Sequence, residues 1–181
     1  LNDYATDPNL IGYFMTNEPE WAFGKHNLAS EMLEANPNTH SRRALATFLR
    51  ERYPDDAAFA AAWSAPGKTI DSVVTDTWRR AEDRSPAAQD NTWEFSRRIV
   101  RQWIGAMTAA CRKAAPNHLN LGVSWAWISS DLCYEVSDFC DVFTINNYGF
   151  EPPLDQFTEI SQRTQRPVMI GEFHHGATDR G

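Results

Sequence analysis

Two glutamates that each follow a short apolar run are the residues in this sequence best suited to chemistry. Glu18 stands at the end of LIGYFMTNE, and Glu172 stands at the end of PVMIGE. In both places a strand-like stretch stops at a polar cluster, as a parallel barrel strand does where it delivers a catalytic side chain to the barrel mouth. One protonated and one ionised carboxyl group are what acid-assisted cleavage of a glycosidic bond needs. The pair therefore predicts glycosidase chemistry.

Aromatic side chains near the strand ends point to the same kind of substrate. The chain has seven tryptophans, and carbohydrate sites use aromatic faces to stack on a pyranose. Trp21, Trp125 and Trp127 fall at strand ends, so we predict that they contribute to a sugar-binding cleft. Trp125 and Trp127 would share one face of a continuing strand, because they are two residues apart. The remaining four tryptophans are expected to pack in the core.

Composition and charge narrow the possible partners. At 181 residues, with 42% hydrophobic and 23% charged residues, the chain has the make-up of one globular domain. A net charge of -7 argues against nucleic acid, which is bound by clustered cations. No apolar run approaches the roughly 20 residues that span a bilayer. We therefore expect neither nucleic acid nor a membrane as a partner, and the sequence predicts no particular oligomeric state.

A metal site built on Glu172, His174 and His26 is an alternative use of the second glutamate. Adjacent histidines on an extended segment, such as His174 and His175, point in opposite directions, and metal-dependent barrels take ligands from several strand ends. We therefore predict no metal and no cofactor, and expect His174 to bond a sugar hydroxyl. The three cysteines lack CxxC spacing and are predicted to be small buried residues: Cys111, Cys133 and Cys140.

Two other catalytic classes have weaker support. The segment GVSWA, residues 122–126, approaches the G-x-S-x-G nucleophile elbow but has Ala126 in place of the second glycine. No glycine-rich phosphate loop follows a strand. Serine hydrolase chemistry and nucleotide binding are therefore disfavoured.

The elements that must position the glutamates alternate between strand and helix. Four strand-like runs are predicted, at residues 10–16, 119–125, 142–146 and 168–172. Helical patterns precede the last three runs, at residues 92–115, at 128–139 more weakly, and at 154–160. This alternation predicts an α/β fold with parallel strands.

The first strand is followed by a long helical insertion. About 100 residues separate Glu18 from Leu119, far more than one crossover helix needs. Helices are predicted at residues 40–53 and 55–63, followed by a polar link at 64–90. We therefore predict that residues 1–181 form one partial barrel domain and that residues 25–90 are a helical insertion within it. The insertion is expected either to wall the active site or to be a peripheral decoration.

Four strands are half of a closed (β/α)8 barrel, which takes about 250 residues. The chain begins at Leu1 rather than at a methionine. We expect the missing strands before Leu1 and after Gly181.

The Asn17-Glu18 and Gly171-Glu172 pairs resemble those of the clan A retaining (β/α)8 glycosidases. In that clan an Asn-Glu pair ends the fourth strand and supplies the acid/base, and a glutamate ending the seventh strand is the nucleophile. The resemblance implies that the chain covers strands four to seven, with Glu18 as acid/base and Glu172 as nucleophile. It also implies retention of configuration, with carboxyl groups roughly 5 to 5.5 Å apart rather than the roughly 6.5 to 9.5 Å of inverting enzymes.

The same resemblance assigns roles to neighbouring residues. Asn17 matches the position whose amide bonds the sugar 2-hydroxyl, and Tyr148 matches a tyrosine that bonds the nucleophile. Asn146, two residues before Tyr148, is placed with the substrate-binding residues. Pro19 departs from the pattern, and it is expected to hold Glu18 in an extended conformation.

Longer segments are most similar to glycoside hydrolase family 50, the β-agarases. The similarity lies chiefly in GYFMTNEPEW and RPVMIGEFHHGATDRG, and it extends to NLGVSWAW and SDFCDVFTINNYGFEP. FLRERYPDDAAFAAAW resembles a helical insertion of related galactan-cleaving families. The resemblance implies an oligo- or polysaccharide substrate such as agarose, which would favour a secreted or periplasmic location. A β-galactosidase-like enzyme for other β-linked saccharides and an inactive carbohydrate-binding barrel fragment remain alternatives.

Overall fold

The chain divides into two units by its backbone contacts. The structure, a computed structural model, describes residues 2–79, 84–174 and 176. One unit comprises Leu1–Lys25 and Val100–Gly181 and carries the strands, and the other comprises His26–Ile99 and is helical. In the described part of the chain, none of the helices combines the length and the apolar character needed to cross a bilayer.

Short parallel strands form the core of the first unit. They are β1 (Gly12–Tyr13), β2 (Thr16–Asn17), β3 (Leu119–Asn120), β4 (Val123–Trp125), β5 (Phe143–Ile145) and β6 (Val168–Ile170). Strands β2, β4, β5 and β6 form one sheet in that order, and β1 pairs with β3. Every pairing among the described strands is parallel. The α/β fold class predicted from the sequence is therefore confirmed.

The first two predicted strands are each interrupted. The Met15 N–H donates to the Gly122 carbonyl at 2.8 Å, which carries the pairing across the gap between β1 and β2. Gly122 has φ +77, and a Cβ there would lie 2.9 Å from the Val142 carbonyl oxygen. The backbone therefore leaves the strand conformation at a position that only glycine fits, which separates β3 from β4.

Buried strands alternate with helices in this unit. β4 and β5 are buried on both faces, as expected for central parallel strands. Residues 128–139 were predicted as a weak helix, and the structure has a 3-10 helix at Asp131–Phe139. Helix α6 (Leu154–Thr164) precedes β6, and Gln165, which caps its C-terminus, adopts φ +56.

The helical unit contains helices that the sequence predicted and others that it did not. The helices are α1 (Leu28–Glu34), α2 (His40–Arg50), α3 (Asp56–Ala62), α4 (Ser72–Thr75) and the first part of α5 (Pro86–Ala114). Helices α2 and α3 correspond to the predictions at 40–53 and 55–63, whereas α1 was not predicted. Helix α5 begins at Pro86, within the segment predicted as a link, because the Ser85 hydroxyl caps the Ala88 N–H and proline suits the first helical position.

A buried arginine organises the helical unit. The side chain of Arg42, on α2, has no solvent exposure. Its guanidinium donates to five carbonyl oxygens, those of Met32, Leu33, Ala35, Val73 and Asp76. Three of these acceptors lie at the end of α1, where helix carbonyls lack partners within the helix. Arg42 therefore caps one helix from within another.

Candidate active site

Glu18 occupies a strained turn at the end of β2. Its N–H donates to the Ser124 carbonyl at 2.9 Å, so strand pairing continues one residue beyond Asn17. Its φ is +38, in the left-handed region. The extended conformation expected from Pro19 is therefore wrong. The chain has to turn at Glu18, because its N–H is fixed to β4 while Pro19 already opens the 3-10 helix Glu20–Phe23.

Glu172 lies two residues beyond β6, in a position that depends on glycine. The Gly171 N–H donates to the Ile145 carbonyl at 3.1 Å, and the Asn147 N–H donates to the Glu172 carbonyl at 2.9 Å. A Cβ on Gly171 would lie 2.5 Å from Thr144 Cγ2. Only glycine lets the chain pass this close to β5 on its way to Glu172.

Tyr148 contacts Glu172 directly. Its hydroxyl donates to Glu172 Oε2 at 2.5 Å, although 59% of the tyrosine is exposed. This hydrogen bond raises the pKa of Tyr148 above its ordinary value, with partial loss of solvent and the charges of Glu172 and Glu18 acting in the same direction. The phenol is therefore held as a neutral donor to the carboxylate.

Two further polar side chains link the glutamates. Asn146 Nδ2 donates to Glu18 Oε1 at 2.6 Å, and the Ser124 hydroxyl donates to Asn146 Oδ1 at 2.8 Å. Ser124 Oγ also lies 3.5 Å from Glu172 Oε1. Both Asn146 and Ser124 are buried. The structure thus gathers the ends of β2, β4, β5 and β6 into one hydrogen-bonded group.

Ser124 is a site residue that the sequence did not predict in this setting. The GVSWA segment suggests a nucleophilic role for Ser124, whereas in the structure its hydroxyl donates to the amide oxygen of Asn146. The sequence signal that could have identified Ser124 is its position as a polar residue inside the buried strand VSW. Strand register then places Ser124 opposite Asn17 on one side and Thr144 on the other.

The three tryptophans predicted to line a sugar cleft differ in their exposure. Trp125 is fully buried, so its prediction as a stacking surface is corrected. The 3-10 helix after Glu18 packs Trp21 edge-on against it, with ring centroids 5.6 Å apart. Trp127 follows the end of β4 instead of continuing it, and is 45% exposed. It forms an edge-to-face pair with Phe23, at a centroid distance of 4.8 Å.

Asn17 and His174 both lie beside a glutamate and are exposed. Asn17 immediately precedes Glu18 at the end of β2. His174 follows Glu172 by two residues, and its Nδ1 accepts the Gly176 N–H at 3.0 Å. His175, named in the metal alternative, lies outside the described residues.

The described residues contain no cluster of three His, Cys, Asp or Glu side chains that could hold a metal ion. His26 belongs to the helical unit, where its Nδ1 lies 2.8 Å from Glu31 Oε1. Cys133 and Cys140 are buried. Burial raises the pKa of Cys140 to about 11, so this thiol is not a nucleophile near neutral pH.

Comparisons with known proteins relate the chain to β-agarases, although no protein-family model matches it. The chain is 24% identical over 192 residues to β-agarase B of Vibrio sp. (strain JT0107), covering 97% of this chain and 19% of that protein. It is 31% identical over 96 residues to β-agarase A of the same strain, covering 49% of this chain and 9% of that protein. The chain thus spans a small part of the curated relatives that it matches.

Solved agarase structures share its fold. A solved exo-β-agarase superposes with a TM-score of 0.77 at 21% identity, covering 94% of this chain and 24% of that one. A crystal structure of another agarase gives a TM-score of 0.76 at 22% identity, covering 94% of this chain and 25% of that one. The chain is therefore similar to β-agarases in sequence, and its α/β fold is the one that these agarase structures have over the matched region.

Proposed function

We propose that the protein is a retaining glycoside hydrolase that cleaves β-glycosidic bonds in an agarose-type galactan. The observation that carries this proposal is the hydrogen-bonded group in which Tyr148 holds Glu172 while Asn146 holds Glu18. Two carboxyl groups at the carboxyl ends of strands of one parallel sheet, each with its own donor, suit a reaction that needs two carboxyl groups in different protonation states.

In the first chemical step, the ionised Glu172 attacks the anomeric carbon. The bond from that carbon to the leaving oxygen breaks, and Glu18 gives its proton to the leaving oxygen. Tyr148 supports this step because its hydroxyl stabilises the ionised form of Glu172. The product of the step is a covalent glycosyl ester on Glu172.

In the second step, Glu18 takes a proton from water and the water oxygen attacks the anomeric carbon. The ester bond to Glu172 breaks, and both carboxyl groups return to their starting states. Two inversions at one carbon give overall retention.

Exposed aromatic and polar groups near the glutamates would bind the sugar. The Phe23–Trp127 pair offers exposed ring surface for stacking on a pyranose. Trp21 lies in the 3-10 helix that follows Glu18 and would border the sugar site. Asn17 and His174 would bond sugar hydroxyls. We further propose that the strands correspond to strands four to seven of a (β/α)8 barrel, with the helical unit as an insertion.

The substrate class rests on the relatives, which are named β-agarases. The test uses the full-length protein with agarose and with simple aryl β-galactosides. Proton NMR identifies which anomer of the product is released first. We expect the β-anomer from agarose and at least a thousandfold lower kcat for Glu172→Gln. An α-anomer, or a Glu172→Gln variant with unchanged rate, would contradict the mechanism. Turnover of aryl galactosides without agarose cleavage would contradict only the substrate.

A further inference from the structure

Asn146 is a buried amide whose oxygen and nitrogen both have defined partners. Its Nδ2 donates to Glu18 Oε1 at 2.6 Å, and its Oδ1 accepts from the Ser124 hydroxyl at 2.8 Å. A rotated amide would present its oxygen to Glu18, and an ionised carboxylate has no proton to donate to that oxygen. In the glycosyl-enzyme state of the proposed mechanism, where Glu18 is ionised, only the observed orientation of the amide gives the carboxylate a donor.

Ser124 reinforces this orientation. A serine hydroxyl has one proton to donate, and Asn146 Oδ1 at 2.8 Å is a closer acceptor than Glu172 Oε1 at 3.5 Å. The hydrogen bonds therefore run in one direction, from Ser124 to Asn146 to Glu18. Successive donors polarise each other, and this strengthens the final bond to the carboxylate.

We propose that Asn146, supported by Ser124, is a positioning residue that determines which oxygen of Glu18 carries the exchanged proton. This inference rests on the proposed function. Because Asn146 Nδ2 donates to Glu18 Oε1, a proton on Oε1 would face another donor. The proton of Glu18 therefore resides on Oε2. Glu18 Oε2 gives that proton to the leaving oxygen in the first step and regains one from water in the second. Asn146 thus acts on Glu18, rather than on the sugar as the sequence suggested.

The role has a kinetic signature that sugar binding and structural support lack. A poor leaving group such as phenolate needs protonation by Glu18, whereas 2,4-dinitrophenolate departs without it. Loss of positioning therefore lowers kcat/KM for the poor leaving group far more than for the good one. A lost sugar contact or a destabilised fold lowers both alike, because neither depends on the leaving group.

The experiment measures kcat/KM of the full-length protein on phenyl, 4-nitrophenyl and 2,4-dinitrophenyl β-glycosides of one agar oligosaccharide. We expect Asn146→Ala to lower kcat/KM by about 10- to 100-fold more on the phenyl substrate than on the dinitrophenyl substrate. This is part of the effect that removal of the acid itself would have. Ser124→Ala is expected to show the same trend more weakly, and it keeps the proposal testable if Asn146→Ala does not fold. Asn91→Ala is the matched control, because this buried amide bonds Tyr53 and Trp63 instead.

Glu18→Gln separates the two proposals. If Glu18→Gln depends steeply on the leaving group while Asn146→Ala and Ser124→Ala lose activity equally on all three substrates, the positioning role is overturned and the glycosidase assignment stands. If Glu18→Gln itself shows no such dependence, the catalytic assignment of Glu18 fails, and the positioning role fails with it.

Discussion

The Tyr148 hydroxyl donates a 2.5 Å hydrogen bond to Oε2 of Glu172. The bond is the main reason that the pKa of Tyr148 is raised. A raised pKa means that the stabilising contribution of the neutral phenol is complete below the pKa of an unfolded tyrosine, about 10. That contribution is lost as the pH rises through the higher pKa of the folded state.

Tyr148→Phe removes the donor, and we expect kcat/KM to fall about tenfold because Glu172, the proposed nucleophile, loses a charge-assisted hydrogen bond. Subtracting the ultraviolet absorbance titration of Tyr148→Phe from that of the wild type isolates the titration of Tyr148. Its midpoint is expected above pH ~10 and should move down in a Glu172→Gln background. A midpoint that does not respond to Glu172→Gln would contradict the assignment of this bond as the cause.

Gly171→Ala places a methyl group where Thr144 Cγ2, Asn146 Oδ1 and Ser124 Oγ already lie within 3.0 Å. We expect a loss of about 1 to 3 kcal/mol in the free energy of unfolding, because the core has no room for the added carbon. Urea denaturation followed by circular dichroism measures it.

Thr144→Ser gives this prediction a matched test. The serine lacks Cγ2 but keeps a hydroxyl able to donate to the Leu121 carbonyl as Thr144 does at 2.6 Å. In a double-mutant cycle, Thr144→Ser should recover part of the stability lost in Gly171→Ala. Strictly additive losses would show that the clash with Thr144 is not the cause.

Arg42→Met leaves five carbonyl oxygens of the helical unit without the guanidinium as a donor. We expect a loss of about 3 kcal/mol or more in unfolding free energy, since the carbonyls of Ala35, Val73 and Asp76 lose the guanidinium as a donor and such a loss carries a desolvation cost. The carbonyls of Met32 and Leu33 keep the N–H groups of Ala35 and Trp78. Arg42→Lys should also destabilise, because an ammonium group cannot reproduce the planar fork of donors. Arg43→Lys, the exposed neighbour on the same helix, is the control and should change thermal unfolding little. Equal effects at the two positions would contradict the capping role.

Glu18→Gly and Glu18→Ala both delete the carboxylate but differ in their tolerance of φ +38. We expect Glu18→Gly to be more stable than Glu18→Ala by about 1 kcal/mol, because alanine is strained in the left-handed region and glycine is not. Chemical denaturation of the two variants measures the difference directly. Greater stability of Glu18→Ala would show that the backbone at this position is not strained.

The parallel strands and the glutamates at their ends could be predicted because the signals are local. An apolar run that stops at a polar cluster is visible in residues 10–18 and again in residues 168–172. The start of α5 was misjudged because a capping serine followed by proline resembles a loop, and α1 was missed because seven residues carry little periodicity.

The internal contacts of the site depend on how the strands pair, which the sequence alone does not show. Ser124 and Asn146 meet because β4 and β5 lie side by side in a particular register. The role of Gly171 depends on a methyl group of β5 that is distant in the chain. Trp125 lies in the buried strand β4, and Trp21, which follows the unexpected turn at Glu18, packs edge-on against it.

The left-handed backbone conformation of Glu18 has an evolutionary consequence. Because Glu18→Gly would relieve the backbone and remove the proposed acid/base in one change, stability and catalysis favour different residues at position 18. As long as hydrolysis is under selection, the glutamate is kept despite its backbone. In a lineage that no longer needs the reaction, drift and selection for stability would act together, and position 18 would be among the first to record the loss.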